Sequence, residues 1–269
     1  MSKLTLGLYQ ARPAFHSIDD ALALLDKWLA NAASQGVDML VSPELFLCGY
    51  GSAKAVRASA QEQGSPCLNS VGKLVAHYGI GLVLGYPEKS GPDFYNSAAV
   101  FDRRGMMISN YRKIALPNAF ERSCFTAGSE AVLFDFDGIR CSVLICYDIE
   151  FPELVRRSAK LGAELLLVPT ALREKWRFVS DTIVAARAYE NAMFIGYCDF
   201  SSEAFELQFS GASSICAPDG TQICQASGSE GLIIGQIDTR AVRDRKSDFD
   251  FLNDLDRLSI QNTLFAQIA

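Results

Sequence analysis

Glu44, Lys113 and Cys146 stand far apart in the chain, yet each follows an apolar run at its carboxyl end. Their side-chain types make one coherent chemical set. A thiol with an ordinary pKa of about 8.5 needs a base before it becomes an effective nucleophile. A glutamate in a dry pocket has its pKa raised toward that task, and a fixed ammonium stabilises the oxyanion formed when sulfur attacks an amide carbon. Such a set hydrolyses amides without histidine or metal. Each residue alone has a plainer reading. A cysteine is usually a small buried hydrophobe. Glu44 after Ser42-Pro43 reads as a solvated turn acid, and Lys113 as a solvated charge at a strand end.

Cys146 has the most telling surroundings. The run Cys141 to Ile145 suits one buried strand, and a short helix follows. Pro152 suits its first position, Glu153 its positive start, Arg156, Arg157 and Lys160 its end, and Gly162 its stop. A thiol at such a strand-to-helix turn is held out of the core, where backbone N–H groups can face a bound oxygen.

The elements that must position these residues alternate between strand and helix. Lys3 to Gln10 reads as a strand, then Ser17 and Asp20 resemble a capping box for a helix whose face is Ile18, Leu22, Leu25, Leu29 and Ala32. Val37 to Val41 is a buried strand that delivers Glu44, and the carboxyl ends of strands are where α/β folds place functional groups. Residues 66 to 79 read as helix and Gly81 to Pro87 as strand. Tyr95 to Asp102 and Met106 to Arg112 form a hairpin ending at Lys113, and Phe134 to Ile145 forms a second about Asp137-Gly138. Ala163 to Val168 is a strand. Trp176 to Phe194 is expected as one long helix with Phe178, Val179, Thr182, Ile183 and Ala186 on one face, and Arg187 paired with Glu190. Another strand ends near Asp199. Ser210 to Ala217, the turn Pro218-Asp219-Gly220 and two short strands to Ile237 complete the pattern. The stretch from Thr239 is charged and weakly patterned, an arm over the surface or a partner subunit.

Composition narrows the function. The 269 residues lack a linker or low-complexity tract, so a single domain over 1–269 is expected, with 239–269 as a C-terminal arm. A net charge of −6 and the lack of a basic face argue against nucleic acid. No stretch reads as a signal peptide or a membrane span, so a soluble, cytoplasmic protein with free thiols is expected. The eight cysteines include no C-x-x-C pair, and the only histidines are His16 and His77. A histidine-dependent triad or a multi-histidine metal site would need one of these two. A carboxylate base, with neither metal nor cofactor, is the expectation.

Six segments, spread through nearly the whole chain, resemble the nitrilase superfamily of carbon–nitrogen hydrolases in its order: P-E-L-F-L-C-G-Y (43–50), Y-R-K-I (111–114), F-E-R (120–122), C-Y-D-I-E-F-P-E (146–153), A-R-A-Y-E-N (186–191) and S-G-A-S-S-I-C-A-P-D-G (210–220). The resemblance implies an α/β fold, a four-layer αββα sandwich, usually a homodimer formed through the helical layer. It also implies roles: Glu44 as general base, Lys113 as stabiliser of the tetrahedral intermediate, Cys146 as nucleophile, Glu121 as an additional positioning or proton-transferring acid. The N–H of Tyr147 would complete the oxyanion hole. Tyr147, Glu150, Tyr50 and Trp176 are expected to bind substrate.

Tyr147-Asp148 after the cysteine favours an amidase over a nitrilase proper, and the segment looks most like the branch of 5-aminopentanamidase and R-stereoselective amidases. Glu150 stands where branches taking carboxylate-bearing substrates often have arginine. An acid there suits a neutral or cationic amide, although it could simply complement the helix start. The expected activity is hydrolysis of a small aliphatic or amino-substituted primary amide through a thioester, with an N-carbamoyl hydrolase as alternative and a catalytically silent binding protein as the remote one. The chain departs from its relatives at Ala115, often histidine, at Asp199, commonly asparagine, and in the tail, which offers N-D-L-D-R-L-S from Asn253 instead of D-R-R-P-E-L-Y.

Overall fold

The computed structural model describes residues 2–14, 17–202 and 207–258, so His16 lies outside the described residues. Strand β1 (Lys3–Gln10) sets the architecture through its alternation. Leu4, Leu6 and Leu8 face one side, Tyr9 the other, and the two sides belong to separate apolar clusters. Helix α1 (Ile18–Ser34) follows, with the Ser17 hydroxyl accepting the Asp20 N–H as its cap, and buries Ala21, Leu25, Leu29 and Ala32 on the Tyr9 side. Strand β2 is shorter than its apolar run, Met39–Val41. Two helices come next, α2 (Ala53–Ser59) and α3 (Pro66–Tyr78), then β3 (Gly81–Ser90), β4 (Asp93–Phe101) and β5 (Met107–Arg112). Helix α4 (Ala119–Cys124) precedes the hairpin of β6 (Val132–Phe136) and β7 (Ile139–Val143). Asp137 and Gly138 both have positive φ there, as a tight hairpin turn requires.

The second half supplies α5 (Pro152–Lys160), β8 (Leu165–Pro169), α6 (Val184–Asn191), β9 (Phe194–Cys198), β10 (Ser214–Cys216), β11 (Gln222–Gln225) and β12 (Gly231–Asp238). One six-stranded sheet has the order β12-β1-β2-β3-β4-β5, the other β11-β10-β9-β8-β7-β6. Their inner faces interdigitate: a Cβ on Gly196 would stand 2.7 Å from Leu6 Cδ2, so glycine sets the close approach. Helices α1 and α3 cover the first sheet, and α5 and α6 cover the second. The result is the four-layer αββα sandwich that the resemblance implied.

The long helix expected over Trp176 to Phe194 is replaced by three pieces. Trp176 ends a single 3-10 turn (Glu174–Trp176), Val179–Ile183 winds as a π-helix, and α6 stops where Ala192 takes φ +48°. Phe194 already belongs to β9. The π-turn adds a residue to the repeat, so a 3.6-residue projection from Phe178 misassigns the face. Phe178, Thr182 and Ala186 are exposed; Val179, Ser180, Val184 and Ala188 are buried. The Arg187–Glu190 pair forms at 3.2 Å.

After β12, in the stretch expected as a C-terminal arm, the chain forms α7 (Arg240–Asp248) and α8 (Phe251–Leu258). Val242 is buried, and the Arg245 guanidinium stacks on Tyr189, Phe249 and Phe251 to dock these helices on α6. Residues 259–269 lie outside the described residues. No helix among the described residues is long and apolar enough to cross a membrane.

Candidate active site

Glu44 lies three residues beyond β2 in a turn where Leu45 has φ +54°. The turn presses against β3: a Cβ on Gly85 would stand 2.1 Å from the Pro43 carbonyl oxygen and 2.8 Å from Leu45 N. Only glycine at 85 lets this backbone in. The Glu44 N–H donates to the Thr170 carbonyl beyond β8, which joins the turn to the second sheet. Lys113 immediately follows β5, and its N–H donates to the Asn96 carbonyl on β4. Cys146 lies three residues beyond β7 and opens a 3-10 turn, Cys146–Glu150, that leads into α5. Its φ is +47°, a left-handed conformation that costs a non-glycine residue about 1–3 kcal/mol and is tolerated where surrounding contacts enforce it.

These three separate strand ends converge. Lys113 Nζ donates to Glu44 Oε1 at 2.6 Å and to Glu121 Oε1 at 2.9 Å, and all three side chains are inaccessible to solvent. Glu121 Oε2 is also 2.8 Å from Nζ, but only Oε1 has hydrogen-bonding geometry. The Tyr50 hydroxyl donates to Glu121 Oε1 at 2.6 Å, and Asn118 Nδ2 donates to the Tyr50 oxygen at 2.8 Å. Asn96 Nδ2 donates to Glu44 Oε1 at 2.6 Å. Glu44 Oε2 has no hydrogen-bond partner among the described residues. It is a buried, open proton acceptor.

The electrostatics follow from one cation shared by two carboxylates in a dry site. Burial and the neighbouring Glu121 push Glu44 up to about 7, against the pull of Lys113 and Asn96. Burial works against the charge on Lys113, but Glu44, Cys146 and Glu121 together hold its pKa well above the ordinary value. Burial, then the Glu44 charge, raises the Cys146 thiol well above its usual range, opposed by Lys113, the Thr170 hydroxyl and the Ala171 N–H. The resting thiol is therefore protonated and needs the base beside it.

Cys146 and Glu121 form part of the lining of a cleft of about 600 Å³. Tyr50, Tyr147, Glu150 and Trp176 line the same cleft, with Asn118, Phe120, Leu172, Arg173, Lys175 and Leu207. Six of the eight candidate site residues line this cleft, and Glu44 and Lys113 lie behind it, joined to it through the bond from Lys113 to Glu121. Burial raises Glu150, opposed by Lys113 and Arg187, and its carboxylate has no hydrogen-bond or ion-pair partner among the described residues. Reasoning from sequence missed Asn96, Asn118 and Asp148. Asn96 left one weak signal, a polar residue paired with Ser97 just before the apolar end of β4. Asp148 was read only as part of a motif; it is fully buried and accepts three hydrogen bonds.

A family model for carbon-nitrogen hydrolases matches residues 5–246. The chain belongs to the carbon–nitrogen hydrolase family. It is 30% identical to 2-oxoglutaramate amidase of Bacillus subtilis, over 82% of this chain and 86% of that one. It is 31% identical to an (R)-stereoselective amidase of a Pseudomonas species, over 81% and 79%. An amidase of the nitrilase superfamily from Nesterenkonia, solved as a cysteine-to-alanine mutant, superposes with a TM-score of 0.82 at 29% identity, covering 92% of this chain and 95% of that one. Another form of that amidase carries the acetamide moiety of fluoroacetamide covalently added at its active-site cysteine. This member of the family is thus a carbon–nitrogen hydrolase of amidase type.

Proposed function

We propose that the protein hydrolyses a small aliphatic primary amide, neutral or amino-substituted, through a thioester on Cys146. The observation that carries this reading is Glu44, raised to about 7, bonded by Lys113 through Oε1 and open at Oε2, its charge acting on the half-buried Cys146 thiol. As sulfur attacks the amide carbon, the thiol proton passes to Glu44, and Lys113 with the Tyr147 N–H receives the oxyanion. Glu44 then gives the proton to the nitrogen, the C–N bond breaks and ammonia leaves. Water attacks the thioester with its proton taken by Glu44, the acid is released, and the thiol is regenerated from that proton. Glu121, fixed by Tyr50 and by its own bond to Lys113, keeps the ammonium aimed at the oxyanion.

Glu150 supports the choice of substrate. An unpaired carboxylate in the cleft favours a substrate that brings an ammonium or an uncharged donor, and repels an anion. A second reading, a carboxylate-bearing amide, is favoured by Arg173 and Lys175 in the same lining. Ammonia release from simple aliphatic amides, 5-aminopentanamide, its carboxylate-ended counterpart and ureido acids separates these readings. A kcat/KM about tenfold higher for the amino or neutral amide than for the anion is expected, equivalent to about 1.4 kcal/mol. The reverse order would overturn the charge argument, carbon dioxide release with ammonia would indicate the ureido reaction, and turnover by Cys146→Ala would overturn the mechanism.

A further inference from the structure

We propose that Asp148 is a positioning residue, its carboxylate tying the turn that carries Cys146 to the strand end that carries Lys113. This rests on the amidase reading of the site. Strand β5 belongs to the first sheet and β7 to the second, so no strand ladder sets Lys113 against Cys146. Asp148 bridges that gap. Its Oδ2 accepts the Ile145 N–H at 3.1 Å, one residue before the nucleophile. The same oxygen accepts the Tyr111 hydroxyl at 2.8 Å, two residues before Lys113. Oδ1 accepts the Ala115 N–H at 2.8 Å, two residues after it. Lys113 is thus bracketed on both sides by groups that share one carboxylate with the backbone next to Cys146. The Asp148 N–H returns to the Ile145 carbonyl at 3.1 Å and closes the turn in which Cys146 holds its left-handed backbone.

The chemistry of the side chain fits this task. An ionised carboxylate is acceptor-only and can serve three donors, and aspartate is short enough to serve them from inside the turn. Asparagine offers an acceptor on one side alone, so it must turn a donor toward either the Ala115 or the Ile145 N–H. Asp148 is inaccessible to solvent and is not among the residues lining the cleft, so it acts through the two groups it positions. A misplacement on the order of an ångström between nucleophile and oxyanion donor lowers turnover without weakening substrate binding.

The test compares Asp148→Asn and Tyr111→Phe, singly and together, by kcat, KM, thermal midpoint and the fraction of Cys146 titrated with iodoacetamide. Asp148→Asn is expected to lose about 100-fold in kcat per titratable thiol with KM within about threefold. Tyr111→Phe, which keeps both backbone anchors, is expected to lose about fivefold in kcat, and the double variant to be no worse than Asp148→Asn alone. A merely structural Asp148 would lower the thermal midpoint and the titratable fraction while leaving kcat per thiol unchanged, and that result would overturn the proposal. If Asp148→Asn does not fold, an unchanged kcat in Tyr111→Phe overturns it. Inactive Cys146→Ala beside a full-speed Asp148→Asn would reject the positioning role alone, whereas an active Cys146→Ala would reject the amidase reading beneath it.

Discussion

Two buried carboxylates, Glu88 and Glu44, meet cations on consecutive residues, Arg112 and Lys113, and they behave in opposite ways. Glu88 Oε1 accepts from Gln63 at 2.9 Å and Arg112 at 2.6 Å, and Oε2 accepts from Ser97, Asn110 and Arg112 at 2.7, 2.8 and 3.0 Å. Burial acts to raise it, but Arg112 and the neutral donors hold its carboxyl below the ordinary value. Glu44 has two donors, both on Oε1, and burial with a second carboxylate carries it up to about 7. Successive residues of an extended chain point to opposite faces, so Arg112 and Lys113 serve different environments. A carboxylate saturated with donors is structure; one left half-satisfied beside a thiol can take and return a proton.

The largest expected effect strikes the unsaturated member. Glu44→Gln is isosteric, keeps an acceptor for Lys113, and removes the proton acceptor; kcat/KM is expected to fall about 10³- to 10⁴-fold with the fold intact, checked by steady-state ammonia release and circular dichroism. Glu88→Gln should do the reverse. It leaves the half-buried Arg112 beside a neutral partner and should cost about 1.5–3 kcal/mol in denaturant unfolding, with kcat within about twofold. Because the folded Glu88 value lies below its ordinary 4.5, its contribution is full above that pH and is lost as pH falls through the folded value. The stability gap between wild type and variant should close in acid. A catalytic defect in Glu88→Gln as large as that in Glu44→Gln would erase the distinction.

The same contrast predicts a pH profile. Glu44 must be unprotonated to accept the thiol proton, so kcat/KM should rise with pH and level off above about 7, dropping about tenfold per unit below it. The apparent value belongs to the Glu44–Lys113–Cys146 set as a whole. An acid limb near the ordinary glutamate value would show that Glu44 is better solvated than its surroundings imply.

How much of this was legible in the sequence depended on whether the signal was local. The strand-end settings of Glu44, Lys113 and Cys146 could be read because an apolar run followed by a polar residue is a local pattern. Helix α4 could not, since six residues show too little of a 3.6-residue repeat, and Glu121 on it came only through the family resemblance. The π-turn at Val179–Ile183 was invisible for a related reason: periodicity assumes one repeat, and the chain changes it. The partners of the charges were hidden most thoroughly. Asn96, Asn118 and Tyr50 reach Glu44 and Glu121 across separations of 52 to 71 residues or through a short cap, and no spacing rule connects them.

The smallest effect isolates burial from distance. Arg140 Nε and Asp135 Oδ1 lie 2.8 Å apart, the separation between Lys113 Nζ and Glu121 Oε2, but their side chains are 46% and 66% exposed while the buried pair is at 0% and 1%. They face each other across the β6–β7 ladder, where water screens the attraction and side-chain ordering offsets part of it. Arg140→Ala is therefore expected to change unfolding stability by less than about 1 kcal/mol, to lose even that in high salt, and to leave kcat unaltered. A larger loss would mean that separation alone ranks these pairs. The expected small one means that the cluster at Lys113 owes its chemistry to the absence of water around it.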